Sequence, residues 1–281
     1  SILVGPEDLD QDWQRRFHEN IHNDSLRLAS SSEALVTYLE APEAVLEQSG
    51  SPFEQVENFL NQHAFHLSAL EEGADPAIVL KEAKLHGPAV EILHQALMTY
   101  AADVADLPLA PFEKACRKHS YDPAIIARHF DVPLATVMRR MAQLPAQKGH
   151  PPIGLVVCDA TGTITFLKKA AGISMPRHGG SCPLWPLFGA FTRPHQAIRM
   201  EVQMPAPNAT RFLCFALAEP MGPVMFDAPP TMQSIMLVIP DMAEGKTPPQ
   251  PVGLSCRICP RTDCRSRREP ALEGMNAKSG L

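Results

Sequence analysis

The stretch Leu155-Val156-Val157-Cys158-Asp159-Ala160-Thr161-Gly162-Thr163-Ile164-Thr165-Phe166-Leu167 decides the fold of this chain. Two short apolar segments flank Asp-Ala-Thr-Gly, a turn sequence that is typical of a β-hairpin. In a strand, successive side chains point to opposite faces, and β-branched residues such as Val, Ile and Thr suit that geometry. The stretch therefore predicts an antiparallel hairpin at 155–167.

Further strand patterns follow the hairpin toward the C-terminus. Residues 197–204, 210–218 and 233–239 alternate with a period of two and are separated by Pro-rich connections, while 184–191 has a helical pattern. This half of the chain is therefore predicted to be α+β, with an antiparallel sheet of the size that small-molecule sensor domains use. We place this domain at 151–281.

The sequence before the hairpin has helical periodicity, with apolar residues at three- and four-residue intervals. Asp122-Pro123 and Pro133 have the chemistry of helix starts. We expect a helical bundle or a helical dimerisation arm over 1–145, followed by a linker rich in Pro. The predicted helices are 7–30, 31–47, 52–72, 76–103, 110–118, 122–130 and 134–143.

Composition restricts the class of protein. The 281 residues are 45% hydrophobic and 20% charged with a formal net charge of −6, which argues against non-specific nucleic-acid binding by the whole surface. No apolar run approaches the length of a membrane span, and the start lacks the basic region of a signal peptide. We expect a cytoplasmic protein without a membrane partner, and the initial Ser1 suggests a chain trimmed at its N-terminus.

Three cysteines lie within nine residues in Val252-Gly253-Leu254-Ser255-Cys256-Arg257-Ile258-Cys259-Pro260-Arg261-Thr262-Asp263-Cys264-Arg265. The C-x-x-C spacing lets two thiolates approach one ion or cluster from a single turn. A fourth ligand is needed, and Cys182 is the other cysteine in a Gly- and Pro-rich loop. We therefore predict a metal centre held by Cys182, Cys256, Cys259 and Cys264, whereas Cys116, Cys158 and Cys214 have the pattern of buried core residues.

The identity of this centre is open between zinc and an iron–sulfur cluster. Zinc is common at C-x-x-C sites, but the pairs Cys259-Pro260 and Cys182-Pro183 resemble ferredoxin-type cluster loops. Apolar neighbours such as Trp185 and Ile258 would shield a cluster. We favour [4Fe–4S], with zinc as the alternative.

Two other motifs have a functional and a structural interpretation. The stretch from Ile126 to Met141 mimics a helix-turn-helix, but the acidic net charge favours helices that simply pack on their neighbours. Arg257 and Arg261 near the cysteines either compensate thiolate charge or bind ligand phosphates. No H-E-x-x-H, Walker loop or nucleophile elbow is present in the sequence, so we expect no enzyme.

Four pieces of sequence resemble a known family. They are Ile126 to Leu144, Gly179-Gly180-Ser181-Cys182-Pro183-Leu184-Trp185, Arg211-Phe212-Leu213-Cys214, and Gly253 to Cys264. Their order and spacing are similar to the C-terminal half of bacterial short-chain fatty acyl-coenzyme A regulators. That resemblance implies a transcriptional regulator of acetate, propionate and glyoxylate-pathway genes, usually with an N-terminal helix-turn-helix and a sensor domain. No such helix-turn-helix is visible before residue 85, so we expect DNA contact through a segment outside this chain.

The resemblance leads to two functional hypotheses. The first is a regulator, or its sensor portion, that is a homodimer and responds to a short-chain acyl-coenzyme A or a redox signal. The alternative is a metal-dependent enzyme acting on a coenzyme A thioester or a related small molecule. For the first, a small apolar slot with basic groups at its rim is needed. The predicted walls are Trp185, Phe188, Phe191, Phe212 and Phe215, and the predicted rim is Lys168, Lys169, Arg177, Arg193 and Arg199.

Overall fold

The computed structural model describes residues 51–270, with short gaps at 146–147, 170–172, 174, 178–179, 206–209, 223, 229, 241 and 243–247. The helices predicted at 7–30 and 31–47 lie outside the described residues. Within this described part of the chain, every helix is too short or too polar to cross a membrane.

Seven α-helices precede the sheet in the described residues. They are α1 Pro52–Gln62, α2 Ser68–Glu71, α3 Pro76–Glu82, α4 Pro88–Asp106, α5 Leu109–Lys118, α6 Pro123–Phe130 and α7 Leu134–Ala142. Local sequence explains their starts: Ser51 and Glu54 form a capping box at α1, and Asp122 caps α6 through its side chain.

Two predicted helices are each divided in two. The predicted helix at 52–72 breaks after α1, where Ala64 and Phe65 adopt positive φ angles of 51° and 58°. The predicted helix at 76–103 breaks before α4, where Gly87 has φ of 59° and Pro88 opens the new helix. Both breaks need left-handed backbone, which apolar periodicity alone does not reveal.

The predicted antiparallel sheet is confirmed. Its strands are β1 Gly154–Asp159, β2 Ile164–Lys168, β3 Ile198–Gln203, β4 Arg211–Pro220, β5 Met232–Pro240 and β6 Gln250–Pro251. Their order in the sheet is β2-β1-β5-β4-β3-β6, and all neighbours are antiparallel except β3 and β6. A short helix, α8 Pro186–Gly189, lies between β2 and β3.

The turn of the β1–β2 hairpin follows from its sequence. The Asp159 carboxylate accepts hydrogen bonds from the backbone N–H groups of Thr161 and Thr163, and Gly162 has φ of 83°. A side chain at Gly162 would be strained in this left-handed conformation, whereas glycine adopts it readily.

The two faces of the sheet bury different cores. One face packs against α8 and the loops, around Trp185, Phe212 and Met236. The other face packs against α5, α6 and α7, around Phe215, Leu237 and Met138. The helices α5, α6 and α7 therefore share one core with this face of the sheet, while α1 to α4 pack in a cluster of their own. The division into domains at 145 and 151 stays a prediction.

The helix-turn-helix mimic is part of this shared core. In α7, Val137, Met138 and Met141 have no exposed surface. Arg139 forms an ion pair with Asp103, and Arg140 is fully buried against other helices. A recognition helix needs one exposed face to enter a groove, so the packing interpretation of this motif is correct.

Candidate functional site

The four predicted cysteine ligands line one small cavity, which we call the thiol cavity. Cys182 reaches it from the loop before α8, while Cys256, Cys259 and Cys264 come from the C-terminal segment. Its other lining residues are Leu184, Gly253, Ser255, Arg261, Ser266 and Arg267. The fold thus brings together thiols that are far apart in sequence.

Backbone contacts hold the two segments side by side. Ser181 and Ser255 form an antiparallel bridge, and the Cys182 N–H donates to the Leu254 carbonyl over 2.9 Å. The Trp185 indole N–H donates to the Gly253 carbonyl over 2.8 Å. Trp185 therefore positions the cysteine loop from the core, which differs from its predicted role as a ligand-pocket wall.

Two arginines that follow the last cysteine stabilise the cysteine-containing loop through hydrogen bonds to its backbone. Arg267 donates to the carbonyls of Cys256 and Cys259 over 2.7 and 2.9 Å, and also to that of Arg261. Arg268 donates to the Ser181 carbonyl over 2.5 Å, and its N–H faces the Cys256 sulfur. The guanidinium forks satisfy carbonyl groups that have no partner in regular secondary structure.

Arg257 and Arg261, for which phosphate binding was one alternative, make contacts within the protein. Arg257 forms an ion pair with Glu269, and Arg261 donates to the carbonyls of Val252 and Gln203 over 2.5 and 3.0 Å. Both terminal guanidinium nitrogens of Arg261 are thus engaged with backbone carbonyls, and the phosphate-binding alternative stays a prediction. Ile258, which we expected to shield the centre, is 42% exposed.

The environment of the thiols fits soft metal ligands. Cys182 and Cys256 are buried, and burial raises the pKa of the Cys182 thiol, while the N–H groups of Leu184 and Gly253 donate to its sulfur and lower that pKa. A Cβ added at Gly253 would lie 3.1 Å from the Cys259 sulfur, so any larger residue at this position would crowd that thiol. Such N–H···S contacts tune metal-bound sulfur.

The side chains are nevertheless not arranged as a single-ion site. Among the described residues, no group of three or more His, Cys, Asp or Glu side chains has a geometry that could hold a metal ion. Four thiols that line one cavity are nevertheless the kind of donor set that zinc and iron–sulfur clusters use.

The three remaining cysteines are buried core residues, as predicted. Cys116, Cys158 and Cys214 have no exposed surface. Burial raises the pKa of the Cys116 and Cys158 thiols to about 12 and raises that of Cys214 further. These thiols are therefore protonated and inert at neutral pH.

A second cavity, of about 760 Å³, lies between the helices and the sheet, and we call it the helix–sheet cavity. Ligand sites in proteins commonly have this volume. Its apolar part is formed by side chains of α1, the segment after it, β1 and β2. Those residues include Phe53, Leu60, Phe65, Leu67, Leu155, Val157 and Phe166.

The other part of the helix–sheet cavity is polar. Gln95, Thr99 and Tyr100 of α4 line it together with Arg139 and Gln143. The Tyr100 hydroxyl donates to Glu71 over 2.7 Å, and burial is the main reason that the pKa of Tyr100 is raised. Arg139 is held by Asp103 over 2.6 Å, so its cationic group has a fixed position at the wall.

The apolar slot predicted from sequence is wrong. Phe212 and Phe215 lie on opposite faces of the sheet, because residues an odd number apart in one strand point in opposite directions. Phe188 and Phe191 pack on the face around Phe212, away from the helix–sheet cavity.

The predicted basic rim is likewise dispersed. Arg177 is buried in an ion pair with Glu57, whereas Lys169, Arg193 and Arg199 are exposed. Lys168 is half-buried and donates to the Ala142 carbonyl. None of these five residues lines the helix–sheet cavity.

Sequence reasoning missed the helix–sheet cavity because its walls come from five segments that are distant in sequence. One signal was available: Tyr100 and Arg139 are polar groups at positions where helical periodicity places the buried stripe. Buried polar groups need partners or a ligand, so these residues could have marked a cavity wall.

Comparison with known proteins finds similar sequences. Residues 142–277 match the family described as short-chain fatty acyl coenzyme A regulator, C-terminal. A propionyl-CoA carboxylase regulator of Cereibacter sphaeroides is 34% identical over 65% of this chain and 42% of its own length. The HTH-type transcriptional regulator PrpR of Mycobacterium tuberculosis is 30% identical over 72% of this chain and 44% of its own.

A solved structure supports the fold. A Mycobacterium tuberculosis transcriptional regulator superposes with a TM-score of 0.65 at 20% identity, over 80% of this chain and 95% of the other. At this identity the likeness concerns the fold alone. The chain spans about two fifths of the length of the curated relatives it matches.

Proposed function

Because this chain belongs, through residues 142–277, to the family of short-chain fatty acyl coenzyme A regulators, we propose that it is the sensing part of a transcriptional regulator. It binds a short-chain acyl-coenzyme A and carries a cysteine-ligated metal centre. The observation that carries this proposal is the helix–sheet cavity, which has an apolar part for an acyl chain and a polar part with a fixed arginine.

The side chains that line the cavity suit the chemical groups of an acyl-coenzyme A. A short acyl chain needs only a small apolar slot, and phenylalanines and leucines of the cavity provide it. The hydroxyl and amide groups of Thr99 and Gln143 suit the amides of coenzyme A. The relatives that match this chain are named as regulators.

Calorimetry with acetyl- and propionyl-coenzyme A on the 281-residue protein tests the ligand. We expect binding by the wild type and loss of binding by Ala96→Phe, because Ala96 lines the cavity and the added ring would fill it. Ala102→Phe, on the exposed side of the same helix, is the matched control. Equal heats for both variants would move the ligand site elsewhere.

We further propose that the thiol cavity holds a [4Fe–4S] cluster on Cys182, Cys256, Cys259 and Cys264. The support is the shared cavity, the N–H donors to the Cys182 sulfur and the arginine clamps around it. Such a cluster supplies one-electron redox chemistry, and zinc in the same place would be structural.

Anaerobic purification followed by iron, sulfide and zinc analysis tests the centre. We expect iron and sulfide in the wild type, and loss of both in each of the four Cys→Ala variants. Cys116→Ala, in a fully buried position away from the cavity, should keep them. A colourless protein with stoichiometric zinc would replace the cluster with a zinc site.

DNA contact is proposed for a part of the regulator other than the α6–α7 mimic, since Arg139 and Arg140 are engaged inside the fold. The homodimer stays a prediction, and light scattering on the purified chain measures it directly.

A further inference from the structure

Lys168, at the end of β2, does not itself line the helix–sheet cavity, but its side chain contacts residues that do. Its Nζ donates to the carbonyl of Ala142 and lies 5.5 Å from the centroid of the Phe65 ring. Leu155 is its partner across the hairpin, so the two side chains share a face of the sheet. Phe65, Ala142 and Leu155 all line the cavity.

We propose that Lys168 is a modification site, which the acyl group of the cavity ligand acylates. This rests on the proposed function, because the acyl donor is the thioester bound in the helix–sheet cavity. Lysine amines act as nucleophiles toward carbonyl carbons when an apolar environment removes their solvation. The aromatic ring and aliphatic groups around Lys168 provide such an environment.

The reaction needs no further reagent. The neutral amine nitrogen attacks the thioester carbonyl carbon, a C–N bond forms and the C–S bond breaks. Coenzyme A leaves as a thiol, with the proton that the nitrogen gives up. The products are an amide on Lys168 and free coenzyme A, without any oxidation or reduction.

The protonation state of Lys168 favours this step. Burial lowers the pKa of Lys168 to about 8, from its ordinary value of 10.5. A much larger fraction of the side chain is therefore a free amine at neutral pH than in an ordinary lysine, since each pKa unit is worth about tenfold in that fraction.

Acylation would have a structural consequence. The modified nitrogen keeps one N–H, which can still donate to the Ala142 carbonyl, but it loses its charge and its interaction with the Phe65 ring. The added acyl group occupies space beside the cavity wall. Because the amide is covalent, the modification would remain after the ligand has dissociated.

Lys169 is the matched internal control, because it is the next residue and is exposed. The 281-residue protein is incubated with propionyl-coenzyme A at neutral pH, and peptide mass spectrometry follows each lysine. We expect Lys168 to be propionylated at least about tenfold faster than Lys169, because its amine lies beside the bound thioester and has a lowered pKa. Lys168→Arg should abolish this fast phase, and Lys169→Arg should leave it unchanged.

Two further measurements connect the modification to the cavity. Excess coenzyme A without an acyl group should slow the propionylation of Lys168 but not that of Lys169. Ala96→Phe should reduce the propionylation rate of Lys168 to that of Lys169, whereas Ala102→Phe should leave it unchanged. If Lys168 is propionylated rapidly and neither treatment changes that rate, the thioester bound in the cavity is not the acyl donor.

Calorimetry on the same samples separates the two proposals. If propionyl-coenzyme A binds but Lys168 is no faster than Lys169, acylation of Lys168 is overturned and the proposed function stands. If there is neither binding nor a fast Lys168 phase, both are overturned.

Discussion

Arg177 and Glu57 form a buried ion pair with 2.6 Å between Nη2 and Oε2, although they are 120 positions apart in the sequence. The other Glu57 oxygen accepts from the Leu167 N–H over 2.8 Å, and Arg177 Nη1 donates to the Ile164 carbonyl over 2.7 Å. These bonds join α1, strand β2 and the segment that leads to Cys182. One carboxylate thus connects a wall of the helix–sheet cavity with the approach to the thiol cavity.

Replacing Glu57 with Gln should lower the free energy of unfolding by about 3 kcal/mol, because it leaves the Arg177 cation buried without a counter-charge. Urea unfolding measures this loss. The exposed Glu82→Gln is the control and should change stability by less than about 0.5 kcal/mol. The double variant Glu57→Leu, Arg177→Met should lose less than the single one, since it removes both charges.

Arg140→Met should also destabilise the protein, by about 3 kcal/mol. Arg140 is 0% exposed, donates to both Glu71 oxygens and donates to the Leu107 carbonyl over 2.9 Å. The variant leaves the Glu71 carboxylate and that carbonyl without this donor. Arg128→Met, on the exposed face of α6, is the matched control. Comparable stabilities in urea would contradict the central role of Arg140 in the helical core.

The fold could be predicted from sequence where the deciding interactions are local. The period of two and the Asp159–Gly162 turn are properties of adjacent residues, and the strands occur where those patterns predict them. Helix breaks at Phe65 and Gly87 were missed because apolar periodicity continues across both. The ion pair of Glu57 with Arg177 could not be foreseen, because nothing local specifies a partner so distant in sequence.

In the candidate site, too, the features that depend on local sequence could be predicted and those that depend on long-range contacts could not. The one avoidable error was to place Phe212 and Phe215 in the same pocket wall. Cys182 was identified as the fourth cysteine from its Gly- and Pro-rich loop, and it does line the thiol cavity. The roles of Arg261 and Arg267 depend on which carbonyls the folded loop exposes, which sequence does not show. Strand alternation, by contrast, was sufficient to separate Phe212 from Phe215.

Gly253→Ala should reduce the metal content of the purified protein. The new methyl group would lie 3.1 Å from the Cys259 sulfur, so that thiol would have to shift by a few tenths of an ångström. Gly189→Ala is the matched control, since its methyl group would meet only the Ile198 side chain at 3.8 Å. Metal analysis after anaerobic purification compares the two, and equal occupancy would show that crowding at Cys259 does not disturb the centre.

Arg267→Ala should also reduce the metal content and speed the reaction of the cysteine loop with a thiol reagent. Arg267 fixes the carbonyls of Cys256 and Cys259, so its loss frees the segment that carries both thiols. Arg265→Ala changes an exposed arginine of the same segment and should have little effect. Identical thiol reactivity in the two variants would argue against a preformed loop.

Lys168→Met should change the pH dependence of stability. The pKa of Lys168 is lowered to about 8 in the folded protein and has its ordinary value of 10.5 in the unfolded chain. Between these two values the unfolded chain binds more protons, so the wild type gains stability as the pH rises through this range. Below pH 8, by contrast, it carries the full cost of the buried charge.

The Met variant has no such cost. The free energy of unfolding of the Met variant, relative to that of the wild type, should therefore be highest at pH 7. This difference should fall by roughly 2 kcal/mol by about pH 10. Urea unfolding of both proteins at the two pH values measures it, with the exposed Lys169→Met as control. A constant difference between wild type and Lys168→Met would mean that Lys168 is solvated in the folded protein, and its nucleophilic character would then lose its physical basis.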